Sequence, residues 1–373
     1  MNKLYHVINF SSQNSWVEYL LSPCLEKNYT DSLIIIGSEG SEGSLVSCLR
    51  KVSPDIEVLS VNDIISFFRL LLHLRAERKR IKLMLNSHGH SASIFSTLVR
   101  IFSGIPFVVS HHQQPNFFHY LFKRKPIQSL LHSLVYFFYC HFATHIFAYS
   151  MEVSNKLGSF RVSERKFSLI PLGINLLNFQ FIDRSPSCEE TIRIVVVSRL
   201  SWEKRVDLSI LVARELLNLG CFFKLTIVGA GSMESSLRKL VKELSLEETV
   251  EFIGITSDIQ SIFHSSDLLL HMSQTESYGQ VILEALLCGV PVFSTPVGVA
   301  LDLQSMGDPF LEICRASHPS EIATQLSSFI DSIRNLRGDN QHFLLPQEFY
   351  SNHDLSVCRR RFVLTISNVF SKL

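Results

Sequence analysis

The feature of this sequence that most constrains its fold is a regular alternation of short apolar runs with longer helix-like stretches, which starts twice along the chain. In the first series the apolar runs predict strands at Leu4–Asn9, Ser32–Ile36, Ile81–Asn86, Pro106–Ser110 and His145–Tyr149. In the second series they predict strands at Ile192–Ser198, Phe222–Val228, Val250–Ile253, Asp267–His271 and Pro291–Ser294. Strands that alternate with helices are typical of α/β proteins with a parallel sheet.

Helical patterns fill the intervals between these predicted strands. The first series has them at Val61–Arg80 and Ser91–Phe102. The second series has them at Arg205–Leu219, Met233–Leu244, Ile259–Ser265 and Gly279–Cys288. The chain of 373 residues is more than twice a typical domain of roughly 150 residues, so it has room for two such sheets.

A polar and irregular stretch separates the two series and suits a linker. We therefore expect two doubly wound, Rossmann-like domains. The first covers residues 1–172, residues 173–191 are the linker, and the second domain covers residues 192–353. Residues 354–373 are expected to form a helix that packs back toward the first domain.

Composition excludes several classes of protein. Hydrophobic residues make up 46% of the chain, charged residues 18%, and the net charge is +1. These values exclude a disordered chain and a strongly basic protein that binds nucleic acid. The most apolar stretch, Ser129–Ser150, is interrupted by histidines and a threonine, so we do not expect it to span a membrane. The eight cysteines form no C-x-x-C pair, and together with the absence of a signal-peptide pattern they favour free thiols in the cytoplasm.

Open parallel sheets bind ligands beyond the carboxyl ends of their strands, so the residues that follow each strand are the candidates for chemistry. Arg199 and Lys204 follow the strand that ends at Ser198. Two cations beside the start of a helix suit a phosphate or diphosphate, and solvated surface charges are the alternative interpretation. Gly229 and Gly231 follow the next strand and allow a tight turn near a ligand, although the third glycine of a dinucleotide fingerprint is missing.

The strongest signal is the segment Ser273–Val292, in which two carboxylates are eight positions apart. Glu276 lies in the loop before a predicted helix, next to Gly279. Glu284 lies within that helix among apolar neighbours. An unpaired charge there costs roughly several kcal/mol, so we expect a partner such as ligand hydroxyls or a basic side chain. The alternative is a charge at a helix start together with a surface glutamate.

Taken in order, these segments resemble the C-terminal half of the large GT4 family of retaining glycosyltransferases with the GT-B fold. The resemblance rests on five segments: S-R-L-S-W-E-K at 198–204, I-V-G-A-G at 227–231, F-I-G at 252–254, S-Q-T-E-S-Y-G-Q-V-I-L-E-A at 273–285, and G-V-P-V at 289–292. I-P-L-G-I at 170–174 resembles the segment that precedes the family's second domain. The resemblance implies two Rossmann-like domains that face each other across a cleft.

The family's paired glutamates fall on Glu276 and Glu284. The resemblance implies that Glu284 holds the donor ribose and that Glu276 faces the sugar. Arg199 and Lys204 would hold the diphosphate and offset its growing charge, with backbone N–H groups around Tyr278 and Gly279 helping. No D-x-D motif stands at a predicted strand end, so we expect no essential metal and no cofactor.

The first domain matches the family less well, as expected if it binds a variable acceptor. A histidine after the strand Pro106–Ser110 lies near the donor sugar in similar enzymes, and His112 fits that position best, with His111 second. A buried or capping histidine is the alternative. His88 follows another strand and is a further candidate for the cleft. The loop after the first strand lacks the glycine pair usual in the family, so its closure on the donor is in doubt.

Two basic segments suggest contact with an anionic membrane. The segment Arg69–Lys82 has six cations and one acid, and a solvated helix face explains it equally well. The segment Phe117–Lys125 combines four aromatic residues with three cations, for which we favour membrane contact. We find no nucleic-acid-binding motif.

The sequence thus predicts a cytoplasmic glycosyltransferase, peripheral on the inner face of the cytoplasmic membrane. We expect it to transfer a sugar, with retention, from a UDP- or GDP-linked donor to a glycan or lipid-linked acceptor. Cell-surface polysaccharide or lipopolysaccharide synthesis is the expected setting. The alternatives are a nucleotide-sugar 2-epimerase on the same fold and a non-catalytic scaffold that binds nucleotide.

Overall fold

The chain forms two compact units, each built on a parallel sheet. A computed structural model describes residues 2–9, 29–36, 57–110, 126–182, 191–304, 310–338 and 347–373. Unit 1 comprises Met1–Tyr149, Val153–Pro171 and Ser356–Leu373, and unit 2 comprises Ser150–Glu152 and Leu172–Leu355.

Unit 1 contains a seven-stranded parallel sheet with the strand order β3-β2-β1-β4-β5-β6-β7. Its strands are β1 (Asn2–Asn9), β2 (Tyr29–Ile36), β3 (Glu57–Val61), β4 (Lys82–His88), β5 (Phe107–Ser110), β6 (His145–Ala148) and β7 (Phe167–Leu169). The described helices of this unit are α1 (Ile64–Arg78), α2 (His90–Ser103), α3 (Pro126–Phe142), α4 (Met151–Ser159) and, at the end of the chain, α12 (Leu355–Ser371).

Helices α1 to α4 cover one face of this sheet, because side chains from all four join a single apolar core with every second residue of the strands. Leu74, Val99 and Tyr139 are among the helix residues in this core. Helix α12 also packs within unit 1. The ring of Phe362 contacts that of Phe147, and the Lys82 ammonium donates a hydrogen bond to the Phe370 carbonyl.

Unit 2 contains a six-stranded parallel sheet with the order β10-β9-β8-β11-β12-β13. Its strands are β8 (Ile192–Val197), β9 (Phe223–Val228), β10 (Val250–Gly254), β11 (Leu268–His271), β12 (Val292–Ser294) and β13 (Leu311–Ile313). Its remaining described helices are α5 (Val206–Asn218), α6 (Glu234–Glu243), α7 (Ile259–His264), α8 (Gln280–Leu287), α9 (Val299–Gln304), α10 (Pro319–Gly338) and α11 (Gln347–His353). Buried aliphatic side chains on both faces of β8 explain why residues 194–197 form an unbroken apolar run, after the exposed Arg193 near the start of the strand.

The prediction of an α/β fold with two Rossmann-like domains is confirmed. One helix boundary was wrong, because Val61 belongs to β3 and not to the helix predicted over Val61–Arg80. The helix begins only after Asp63, whose carboxylate accepts a hydrogen bond from the Ser66 amide while the Ser66 hydroxyl accepts one from the Asp63 amide. This capping box fixes the start of α1.

The described part of the segment that we expected to be a linker packs within unit 2. The amide of Ile174 donates to the His353 carbonyl, and the amide of Leu355 donates to the Ile174 carbonyl. The His264 ring lies 2.8 Å from the Gln180 carbonyl oxygen. No helix in the described ranges is both long and apolar enough to cross a membrane.

Candidate functional site

The strand order of unit 2 reverses between β8 and β11, and this is where open α/β sheets bind ligands. The two strands are paired at Leu268 with Ile194 and at Leu269 with Val195, so the pairing stops two residues before each strand ends. Below this opening, the Arg193 guanidinium makes two 2.9 Å hydrogen bonds to the Asp267 carboxylate. The strands are therefore held together at one end and open at the other.

Two glycines let the loop after β9 pack on the loop after β8. A Cβ atom at Gly229 would lie 1.9 Å from the Ser198 carbonyl oxygen, and one at Gly231 would lie 2.3 Å from that of Leu200. Gly229 also has a φ of +132°, which other residues rarely adopt. The two glycines thus support the backbone that carries Arg199, a role that the sequence alone did not reveal.

Lys204 and Glu276 are brought together from the loops after β8 and β11. The Lys204 ammonium lies 2.5 Å from Oε1 of Glu276, and both side chains are largely buried. The Ser273 hydroxyl donates a 2.9 Å hydrogen bond to the same oxygen. His271 Nε2 lies 3.1 Å from it. No hydrogen bond from another described residue reaches Oε2, so one carboxylate oxygen is crowded and the second is available to a ligand.

These neighbours keep Glu276 ionised. Burial on its own would raise the pKa of this carboxyl, but the positive charge of Lys204 and the contact with His271 hold it far below its usual range. An ionised carboxylate with one available oxygen is an acceptor for hydroxyl groups. It also stabilises positive charge that develops nearby.

Two buried polar atoms on the same two loops have no hydrogen-bond partner among the described residues. They are Oγ of Ser198, which follows β8, and Oε1 of Gln274, which follows β11. Because buried polar groups in folded proteins are nearly always paired, these two atoms indicate that a polar ligand completes the site.

Glu284 lies on α8 and is largely shielded from water by its neighbours. Burial raises the pKa of this carboxyl to about 7, and among the described residues no basic side chain lowers it. Helix α8 begins at Gln280, after Gly279 in the left-handed conformation. The first amides of a helix lack intrahelical acceptors and therefore favour an anion at this position.

The side chain of Tyr278 points into unit 2. Its hydroxyl lies 2.7 Å from Nδ1 of His353, and its carbonyl accepts a 2.6 Å hydrogen bond from the Val299 amide. Gly298 packs closely here, because a Cβ atom on it would lie 2.4 Å from the Tyr278 carbonyl oxygen and 3.0 Å from Cβ of Glu276. A contribution of Tyr278 to ligand binding would therefore come from its backbone N–H group, as expected from the sequence.

Arg199 is accessible to solvent, with 69% of its side chain exposed. Its guanidinium pairs with Glu203 at 3.1 Å, and the Glu203 carboxylate also accepts a 2.6 Å hydrogen bond from Ser201. The Glu203 carbonyl accepts a hydrogen bond from the Gln274 amide, which joins the two loops. Among the described contacts, Arg199 and Lys204 do not share a partner.

In unit 1, the predicted site residue His88 lies in a buried polar cluster. His88 is buried at the end of β4, and its ring stacks on that of His6 with Nε2 of His88 3.0 Å from Nδ1 of His6. Asn86 and Ser110 extend this buried polar group across β4 and β5. His111, His112 and the basic segment Phe117–Lys125 lie outside the described residues.

One cluster in the described ranges has side chains of the kind that bind metal ions, namely Glu57, His73 and Glu77 of unit 1. Lys3 lies 2.6 Å from the first carboxylate and 2.8 Å from the second, so an internal ammonium already balances them. The Tyr5 hydroxyl donates to Glu77 at 2.6 Å. This arrangement is that of a structural charge cluster.

Sequence reasoning missed His271, Ser273 and Gln274 as functional candidates, and used His271 only as the end of a strand. The available signal was a histidine that closes an apolar strand five positions before the first glutamate of the pair. Gly298 had no comparable signal, because its close approach to Tyr278 appears only in three dimensions.

Both halves of the chain are similar to known glycosyltransferases. The family model described as Glycosyl transferases group 1 matches residues 179–336, and the model described as Glycosyltransferase Family 4 matches residues 40–176. N-acetyl-alpha-D-glucosaminyl L-malate synthase of Bacillus anthracis is 36% identical over 102 residues, which is 27% of this chain and 26% of that protein. The gpi3 subunit of phosphatidylinositol N-acetylglucosaminyltransferase from Schizosaccharomyces pombe is 31% identical over 139 residues, 37% of this chain and 30% of that protein. The matched segments are thus under a third of each relative's length.

Solved structures share the fold over nearly the whole chain. Sucrose-phosphate synthase from Thermosynechococcus elongatus superposes with a TM-score of 0.78 at 14% identity, over 100% of both chains. HepE of Anabaena, solved with UDP and glucose, gives 0.75 at 17% identity, over 98% of this chain and 99% of that one. The two family models match the two halves of the chain and identify it as a GT4-like glycosyltransferase, and the solved structures share its fold, GT-B.

Proposed function

We propose that this protein transfers a sugar from a nucleotide diphosphate sugar to an acceptor hydroxyl, with retention at the anomeric carbon. The observation that carries the proposal is the ionised Glu276 together with the unpaired side-chain oxygens of Ser198 and Gln274, on the loops after β8 and β11. HepE has been solved with UDP, with UDP and glucose, and with UDP-glucose, which supports a UDP-linked donor here. Several relatives are named as N-acetylglucosaminyltransferases or as colanic acid glycosyltransferases.

Each candidate site residue of unit 2 has a role in this proposed reaction. Glu284 accepts hydrogen bonds from the donor ribose, and the available oxygen of Glu276 accepts them from the donor sugar. Arg199, Lys204 and the first amides of α8 hold the diphosphate, with the turn at Gly229 and Gly231 supporting Arg199. Lys204 begins in a pair with Glu276, so donor binding requires its ammonium to be shared between that carboxylate and the diphosphate.

The chemical step breaks the bond between the anomeric carbon and the diphosphate oxygen and forms a bond from that carbon to the acceptor oxygen. The acceptor proton passes to the departing phosphate oxygen. Lys204 and Arg199 offset the negative charge that grows on the diphosphate, and Glu276 offsets positive charge on the sugar. His112 is proposed to contact the sugar, with His111 and His88 as further acceptor-side candidates. No metal is assigned a role.

For the acceptor we propose a glycan or a lipid-linked sugar in the synthesis of cell-surface polysaccharide or lipopolysaccharide. Alpha-monoglucosyldiacylglycerol synthase of Streptococcus pneumoniae, 23% identical over 204 residues, is a relative whose name indicates a lipid acceptor. An enzyme that uses such an acceptor must reach the membrane surface, so we propose a peripheral location on its cytoplasmic face.

A panel of nucleotide sugars, incubated with the protein with and without membrane extract, tests this function. We expect nucleoside diphosphate release and sugar transfer that depend on the extract. Epimerised sugar formed without any acceptor would support a nucleotide-sugar 2-epimerase instead. If the protein shows no turnover and binds no nucleotide, the scaffold is the interpretation that remains. Glu276→Gln is the matched inactive control, because it keeps the size of the side chain and removes its charge.

A further inference from the structure

We propose that the outer face of helices α1, α2 and α3 in unit 1 docks onto an anionic phospholipid bilayer. This inference rests on the proposed membrane location and deepens it by assigning the surface that makes the contact. The three helices are neighbours in one layer, since α1 and α3 both pack against α2 and all three bury one side in the same core. Their other sides therefore form one continuous face.

That face is unusually apolar for a protein surface. Fourteen of the 25 exposed large hydrophobic side chains in the described ranges lie on these three helices. On α3 they recur at Ile127, Leu131, Leu134 and Phe138, a spacing that keeps them on one side of the helix. Leu72 on α1 and Ile101 on α2 are also more than half exposed. A patch of this kind marks an interaction surface.

The charge of the same surface is almost entirely positive. The three helices contain one carboxylate, Glu77, and its oxygens are bound by Lys3 and Tyr5. The exposed cations lie on α1 or just after it, at Arg69, Arg75, Arg78, Lys79 and Arg80. Asp63, which caps α1, adds one exposed carboxylate at the start of the helix. An apolar face bordered by cations suits the boundary between headgroups and acyl chains of an anionic membrane.

A pocket between the ends of α1 and α2 is suited to a lipid phosphate. It has a volume of about 560 Å³ and is lined by Leu72, Arg75, Ala76, Arg78, Lys79 and Ser103. The guanidiniums of Arg75 and Arg78 each donate to a carbonyl at the end of α2, of Phe102 and Ser103 respectively. These bonds hold both cations at the pocket and leave their other N–H groups available to a phosphate.

The same features argue against a second copy of this chain as the occupant. In a two-fold dimer through this face each patch meets itself, so five cations would oppose five cations. An anionic bilayer instead offers complementary charge over a broad area and an apolar layer beneath it. The bilayer is therefore the occupant that matches both the charge and the apolar area.

Co-sedimentation of the full chain with vesicles tests this surface. The protein should bind vesicles of phosphatidylcholine mixed with phosphatidylglycerol, bind phosphatidylcholine alone much less, and be released by salt. Lys79→Glu with Arg80→Glu should weaken binding by about tenfold or more. Leu131→Ser with Phe138→Ser should have an effect of about the same size, because it removes apolar contacts.

Matched controls lie on unit 2. Lys239→Glu with Lys242→Glu reverses two exposed charges, and Leu219→Ser with Phe222→Ser removes two exposed apolar side chains. Both should bind vesicles like the unmodified protein. As a second measurement, Phe138→Trp should be quenched by brominated lipid above the background of Trp16 and Trp202, whereas Phe222→Trp should not.

The proposal is overturned if the unmodified protein ignores anionic vesicles, if the α1 and α3 variants bind like the controls, or if the face proves to be a dimer interface. Titration of each protein with UDP separates this result from the proposed function. The surface variants should bind UDP normally. A protein that binds vesicles but no nucleotide would contradict the proposed function and leave the docking surface standing.

Discussion

At the scale of single residues, two carboxylates of one segment have opposite environments. Glu276 is held ionised by Lys204, while burial raises the pKa of Glu284 to about 7. The sequence identified both residues by their spacing and neighbours. It did not reveal the difference in charge state, which depends on side chains from a distant loop. Their different environments lead to different predictions.

Replacing Glu284 with Gln should remove a pH dependence of nucleotide binding. The ionised carboxylate is the better acceptor for ribose hydroxyls, so the affinity of the unmodified protein for UDP should rise as the pH increases through about 7. The Gln variant should bind UDP more weakly at pH 8 and should lose the part of the pH dependence that Glu284 contributes, keeping only that of the UDP phosphate. Calorimetric titration at several pH values measures this, and an unchanged slope in the variant would contradict the role of Glu284.

The same substitution should stabilise the protein without ligand. The pKa of Glu284 in the folded state lies above the usual 4.5, so the folded protein binds more protons than the unfolded chain between these values. Stability is therefore lost as the pH rises from 4.5 toward 7. Glu284→Gln should recover about 1–3 kcal/mol at pH 8, measured by urea unfolding. A less stable variant would show that Glu284 has a partner after all.

Lys204→Met should cost both stability and nucleotide affinity, whereas Arg199→Ala should cost mainly affinity. Removing Lys204 leaves the buried Glu276 charge unbalanced, at a cost of about 3 kcal/mol at neutral pH. Arg199 is exposed and its partner Glu203 keeps the hydrogen bond from Ser201, so the loss of Arg199 should cost less stability. Adding Glu276→Gln to Lys204→Met should restore most of the lost stability.

The sign of the pH effect follows from the lowered pKa of Glu276. The ion pair contributes its full stability above the unfolded-state pKa near 4.5, and this contribution is lost as the pH falls through the lower folded-state value. Thermal unfolding of the single and double variants from pH 3 to pH 7 measures it. Equal stability of Lys204→Met and the unmodified protein at pH 7 would contradict the pairing.

At the scale of elements, the apolar runs of the sequence predicted the central strands of both sheets. The strands that escaped prediction, β3, β7 and β13, are short and lie at sheet edges. An edge strand has one neighbour and needs less apolar sequence, so its pattern is weak. The glycine turn after β9 was found, but its support of the Ser198–Leu200 backbone depends on tertiary packing.

Gly229→Ala should be far more damaging than Gly220→Ala. Both glycines have positive φ, but a Cβ atom at Gly229 would overlap the Ser198 carbonyl oxygen, whereas one at Gly220 would meet no atom within 4 Å. We expect a loss of about 1 kcal/mol at Gly220 and more than about 3 kcal/mol at Gly229. Chemical denaturation of the two variants compares them directly, and similar losses would argue against the packing role.

At the scale of the whole molecule, the excess of apolar residues has two origins. Most of them fill the cores of two parallel sheets, whose strands are buried on both faces. A second group is exposed on α1, α2 and α3 of unit 1, next to the cations of the segment Arg69–Lys82. The fold class and the basic segment could be recognised in the sequence. Which apolar residues face outward could not, because that depends on how α1, α2 and α3 pack in one layer.

The central claim is that the loops after β8 and β11 bind a nucleoside diphosphate through Arg199 and Lys204. The most direct test is calorimetric titration of the purified protein with UDP and with uridine, each repeated with GDP and guanosine. Charge-assisted hydrogen bonds contribute roughly 1.5–3 kcal/mol each, so the diphosphate that fits should bind about a hundredfold or more tighter than its nucleoside. Arg199→Ala with Lys204→Ala should remove most of that difference. Equal affinity for nucleotide and nucleoside, or no binding of either diphosphate, would contradict the account.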